Sequence, residues 1–117
     1  MLTEIVSPKK IILSDNFKFI ILPGEEGDLG VFDNHTPTVT TLRLGLVFLY
    51  KEDKIFKRFL VHNGVCEITK DKCTILSENI EDINENLIKE LRKNLVEEPD
   101  NQALIKKINV IEKSYYN

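Results

Sequence analysis

Cys66-Glu67-Ile68-Thr69-Lys70-Asp71-Lys72-Cys73-Thr74-Ile75-Leu76-Ser77 alternates in period two on either side of Lys70-Asp71, the pattern of two short strands meeting at a tight turn. If the loop has two residues, Ile68 faces Cys73 and Cys66 faces Ile75, so all four project from one face. At Ser77 the period changes. Ile83, Leu87, Leu91 and Leu95 recur every four residues, and Ile88 and Val96 widen the stripe, which predicts an amphipathic helix. The chain is therefore β in front of this point and α behind it.

Behind it, Asp82 with Glu85 three residues later forms a capping pattern. Pro99 ends the first helix, because the residue before proline avoids helical angles. Asp100 can cap a second helix, whose stripe is Leu104, Ile108, Ile111 and Tyr115 with Ile105 beside it. Two stripes joined by so short a linker predict an antiparallel hairpin. Helices of this length are marginal alone in water, so the pair needs a surface to pack on, either permanently or as a movable element.

In front, residues 2–7, 10–14 and 17–22 read as strands separated by Ser7-Pro8 and Ser14-Asp15-Asn16, with Phe17, Phe19 and Ile21 expected on the core face. The run 36–44 is a threonine-rich strand in which Thr38, Thr40, Leu42 and Leu44 share a face. Leu46-Val47-Phe48-Leu49-Tyr50 is apolar on both faces and should be covered on both, by the core and by a partner. Glu52-Asp53 turns the chain back into 55–61, and Asn63-Gly64 is a second tight turn or bulge. Short strands spaced this closely, with no helices between them, predict a β-sandwich of eight to ten strands over residues 1–80, followed by a helical hairpin over 81–117.

The chain has 117 residues and a net charge of −3. Residues 1–77 carry ten acidic and ten basic side chains, and 78–117 carry nine and six; the balance gives no basic footprint for nucleic acid. Cys66 and Cys73 lack the paired spacing of zinc sites, and His35 and His62 lie in separate loops. Small core residues are the expected reading, a four-residue metal site the alternative. No apolar run reaches the roughly twenty residues needed to span a bilayer. With no leader pattern at Met1-Leu2-Thr3-Glu4, a soluble protein of a reducing compartment is expected. No nucleophile sits beside a base, and no phosphate loop occurs. No cofactor is expected, and a hydrolase using His35 is a remote alternative.

The stretch Gly24-Glu25-Glu26-Gly27-Asp28-Leu29-Gly30-Val31-Phe32-Asp33-Asn34-His35-Thr36-Pro37 surrounds a core too short to be an independent strand pair. It displays an acidic knuckle on glycine turns. The alternating oxygen ligands and distant bidentate Glu of a calcium loop are absent. Its Glu26-to-Phe32 and His35-Thr36-Pro37 segments resemble the acidic glycine turn and His-x-Pro of the epsilon subunit of F-type ATP synthases, called delta in mitochondria. The order of sandwich then hairpin agrees along the whole chain. The Asp33-Asn34 turn departs from the family's usual Pro-Gly, and Asn34 can take the left-handed angle.

That resemblance implies a non-catalytic rotor subunit of the central stalk, peripheral on the cytoplasmic face of a bacterial inner membrane, coupling proton passage to ATP synthesis. It implies contact of Asp28, with Glu25 and Glu26, with the c-ring loops, and of His35 with the gamma subunit. Leu46, Phe48 and Tyr50 on the doubly apolar strand are added as candidates for the gamma contact. The helices of this family can also reach the alpha and beta subunits and obstruct ATP hydrolysis. An ATP-binding motif found in some bacterial members falls on Ile83-Asn84-Glu85-Asn86-Leu87-Ile88, where the acid has become Asn84 and the arginine Leu87. Without the guanidinium fork, weak or no ATP binding is expected. The rival reading is a free-standing sandwich that binds a small ligand or peptide and dimerises through its hairpin.

Overall fold

The computed structural model describes residues 1–115; the side chains of the last two, including Tyr115 of the expected second stripe, lie outside the described residues. Ten strands precede two helices: β1 Leu2–Ser7, β2 Lys10–Asn16, β3 Phe19–Gly24, β4 Gly27–Val31, β5 Thr38–Leu42, β6 Gly45–Lys51, β7 Lys54–Val61, β8 Gly64–Ile68, β9 Lys72–Leu76, β10 Ile80–Asp82, α1 Glu85–Glu97 and α2 Gln102–Tyr115. The strands form one curled sheet in the order β10-β7-β6-β3-β5-β8-β9-β1-β2, with β4 on β3. β3 joins the two layers of the sandwich: Phe19–Ile21 pair with β6, and Gly24 pairs with Leu42 of β5. Of the strand pairings, β1 with β9 is parallel.

The β8–β9 hairpin has the expected register, Cys66 opposite Ile75 and Ile68 opposite Cys73, closed by the Thr69 N–H on the Lys72 carbonyl at 2.8 Å. Both cysteines are free, fully buried and neighbours, with sulfurs 3.4 Å apart. The hydrogen bond to Cys73, together with burial, pushes the Cys66 thiol up, which keeps it neutral and inert. They pack with Ile5, Ile20, Leu22, Val47, Leu49, Phe59 and Val61 in the core between the layers.

Three local expectations are corrected. On β3 the core face is Ile20 and Leu22, whereas Phe19 and Ile21 are half-buried on the outer face. Phe17 is buried but precedes the strand, its N–H bonded to the Met1 carbonyl, so the alternation restarts one residue later. The glycine stretch does form a strand pair. β4 folds back on β3 with Gly24 opposite Gly27, leaving Glu25-Glu26 as a two-residue loop. Gly27 takes φ 137°, an angle open to glycine at little cost. The threonine strand is shorter than expected, Thr38–Leu42, with Thr38, Thr40 and Leu42 on the more buried face.

β6 is covered on both sides. Val47 and Leu49 enter the core, while Leu46 and Phe48 join a second cluster with Leu60, Ile83, Ile88, Leu91, Ile108 and Ile111. The outer cover is therefore the chain's own hairpin. Helix caps fall elsewhere than expected. The Asn84 side chain accepts the Leu87 N–H at 2.9 Å and Asn101 that of Leu104 at 3.1 Å. Asp82 belongs to β10 and pairs with Lys57 at 2.6 Å. Ile83 is buried but lies before α1, and Val96 at the far end of the stripe is 81% exposed. The stripe turns away from the sandwich in the last turn of α1. Glu98 caps that helix, just before Pro99.

Candidate docking surfaces

Glu25 and Glu26 occupy the exposed tip of the β3–β4 hairpin. The tip is braced from behind: the Glu25 N–H bonds to the Thr41 carbonyl at 2.8 Å, and the Arg43 guanidinium donates to the Gly24 carbonyl and, at 2.6 Å, to Asp28 Oδ1. Asp28 is 64% exposed and Arg43 43%, so this pair is worth only about 0–1 kcal/mol. Its effect is to orient the carboxylate. The three acidic residues are thus brought together on one hairpin, with two carboxylates unbraced at its end.

His35 lies on a different element, the loop between β4 and β5, where its Nδ1–H donates to the Thr36 carbonyl at 2.7 Å. Asn34 before it has φ 63°, the left-handed angle asparagine tolerates. The imidazole is engaged in shaping its own turn.

Leu46, Phe48 and Tyr50 share the outer face of β6, but unequally. Leu46 is 4% exposed beneath the hairpin and Phe48 packs against the same cluster, so neither offers free surface while the hairpin is docked. Tyr50 lies past the helices and contacts Phe19, ring centroids 5.3 Å apart. Phe19 in turn stacks on Phe32 at 4.4 Å. A Cβ at Gly30 would come 3.0 Å from the Phe19 ring; the glycine is what lets that ring lie flat on β4 and build the aromatic strip.

A second apolar surface lies on the opposite layer and was not anticipated. Across β5, β8, β9, β1 and β2, register places Thr41, Val65, Leu76, Val6 and Ile11 side by side on the outer face. Ile11 is 59% exposed, Leu76 46% and Val65 40%, with Val39 one row away. Four apolar residues in one cross-strand row on a solvent face are what a partner surface requires. An open groove of about 730 Å³ runs along it, lined by Val6, Pro8, Thr41, Asn63, Val65 and Leu76. The signal was present in the sequence: Val65 and Leu76 occupy outward positions where alternation calls for polar residues.

Among the described residues, no group of three or more His, Cys, Asp or Glu is placed to hold a metal ion, and no helix is long and apolar enough to cross a membrane. What the molecule displays is contact surface: an acidic tip, an apolar row and a hairpin laid over the remaining face. Fold and surfaces together define a β-sandwich with a docked helical hairpin. A family model described as ATP synthase, Delta/Epsilon chain, beta-sandwich domain, matches residues 1–83. The ATP synthase epsilon chain of Granulibacter bethesdensis is 33% identical over 107 residues, 92% of this chain and 79% of that one. That of Rhodospirillum rubrum is 34% identical over 80 residues, 68% of this chain and 60% of its own length. This chain belongs to the ATP synthase delta/epsilon chain family.

Solved structures repeat the fold. A chain of the Tetrahymena thermophila mitochondrial ATP synthase central stalk and c-ring superposes with a TM-score of 0.68 at 18% identity, covering 97% of this chain and 94% of that one. One from the Euglena gracilis mitochondrial enzyme gives 0.65 at 16%, covering 92% and 72%. At 97% and 92% of this chain, both likenesses reach beyond the span of the family model.

Proposed function

We propose that this chain is a non-catalytic rotor subunit of an F-type ATP synthase, seated between the gamma subunit and the c-ring and carrying torque from proton passage to the catalytic head. The apolar row Val65, Leu76, Val6 and Ile11 is the observation that carries this reading, because it gives a member of this family a contiguous apolar face that a partner can cover. Gamma docks on that row. Tyr50, with Phe19 and Phe32, and His35 on its loop form a secondary contact. Leu46 and Phe48 join only when the hairpin lifts.

The acidic tip of Glu25, Glu26 and Asp28 meets basic groups of the c-ring loops. Such exposed charges fix register more than affinity, while the hydrophobic grip bears the load. The hairpin is the element able to reach the alpha and beta subunits. The chain is peripheral on the inner membrane and held there through its partners. ATP binding at residues 83–88 is weak or absent, since Asn84 is engaged as a helix cap.

Leu76→Asp tests the docking face. A charge at the centre of the row should weaken binding to purified gamma by about 100-fold, the scale of losing one interface anchor. The urea midpoint of the isolated chain should hardly move, because Leu76 is 46% exposed. Unchanged affinity for gamma would remove this face from the interface.

A further inference from the structure

We propose that Glu81 is the latch that sets whether the helical hairpin is docked. The apolar seat of the hairpin is small: Leu46 and Leu60 of the sheet and Ile83 of the linker meet Ile88 and Leu91 of α1 and Ile108 and Ile111 of α2. Glu81 lies opposite Leu60 in the β7–β10 pairing, beside that seat. Its side chain is 26% exposed, and the carboxylate takes Lys107 of α2 through both oxygens, each at 2.7 Å. From the sandwich side, His62 Nε2 lies 3.0 Å from Oε2. The other acid of β10, Asp82, pairs with Lys57 inside the sheet. One acid thus ties strand to strand and its neighbour ties strand to helix.

The asymmetry of Glu81's partners makes this a latch rather than a weld. Lys107 leaves with the hairpin, whereas His62 belongs to the sandwich and stays. A half-buried carboxylate stripped of every partner is costly. Glu81 keeps one, and Lys107, on leaving, is solvated by water. Both arrangements are therefore satisfied, which a two-state element needs. Burial pushes the Glu81 carboxyl up, but hydrogen bonds from Lys107 and His62 outweigh it and hold the group below its ordinary 4.5, so the docked state contains the ion pair. The latch concerns where the hairpin sits and stands whether or not the hairpin bears on ATP hydrolysis.

Amide hydrogen exchange on the full chain reads docking directly. In Glu81→Gln, exchange of α1 and α2 amides should rise about tenfold, the scale of one charge-assisted hydrogen bond, with β8 and β9 amides unchanged. Lys107→Met should do the same, and the double variant should be no worse than either alone, because both remove one interaction. His62→Gln should change hairpin exchange less than about twofold, since that contact exists in both states. Unchanged hairpin exchange in Glu81→Gln, effects that multiply in the double variant, or a His62→Gln effect as large as that of Glu81→Gln would overturn the latch.

Discussion

Alanine at position 64 is expected to lower the stability of the chain by about 3 kcal/mol, combining a backbone angle that side chains avoid with a steric clash. Gly64 opens β8 with φ 152°. A Cβ there would lie far inside contact distance of the Leu76 carbonyl oxygen and 3.1 Å from Ser77 Cβ. Neither neighbour can yield easily. Leu76 closes the pairing of β8 with β9, and the Ser77 hydroxyl is anchored to the Asn63 carbonyl at 2.5 Å. Gly27 is the internal control, because it also has positive φ, 137°, but nothing lies within 4 Å of its would-be Cβ. Gly27→Ala should cost about 1 kcal/mol from backbone strain alone. Urea unfolding followed by far-ultraviolet circular dichroism separates the two, and equal losses would mean that the close approach at Gly64 is not what demands glycine.

Leu60→Ala should cost about 3 kcal/mol, within the range for deleting a buried leucine, and the loss should be unevenly distributed. Leu60 is fully buried, yet it belongs to the hairpin seat and not to the core between the layers. Helices of 13 and 14 residues hold little structure without tertiary contacts. The variant should therefore lose helical ellipticity in a separate, earlier transition while the strands unfold near the parent midpoint. A single cooperative transition shifted as a whole would show that hairpin and sandwich fold as one unit.

These two residues mark what could and could not be read from sequence. The β8–β9 register was legible because a two-residue loop leaves one choice of parity, and that choice put Cys66, Ile68, Cys73 and Ile75 inside together. The parity of β3 was not, because after Lys18 the run Phe19-Ile20-Ile21-Leu22 has no polar residue to mark a face, and the outward-facing Phe19 and Ile21 are apolar and half-buried. Asp82 and Asn84, and likewise Asp100 and Asn101, compete as caps with nearly equal preference. Tertiary packing at Ile83 and the β10 pairing decided for Asn84. The doubly covered Leu46–Tyr50 strand was recognised, but which cover lay outside depended on where the helices fold back, which no local pattern states.

The candidate surfaces divide the same way. The acidic tip was readable because glycine and charge are punctuated in sequence. The apolar row was legible only in part: Val65 and Leu76 stand at outward positions of their hairpin, but Val6 and Ile11 join them only through the sheet order β8-β9-β1-β2. With its apolar stripe turned onto Leu46 and Leu60, the hairpin also has less to offer a second copy of the chain, which weakens the reading of a free-standing self-associating module.

The central claim is that this molecule works by gripping a shaft. Light scattering coupled to size exclusion, on an equimolar mixture with purified gamma subunit, measures that grip. A single one-to-one complex at micromolar concentration, with no nucleotide hydrolysed by this chain alone, is the predicted result. Two separate peaks, or a homodimer of this chain that persists unchanged when gamma is added, would contradict it.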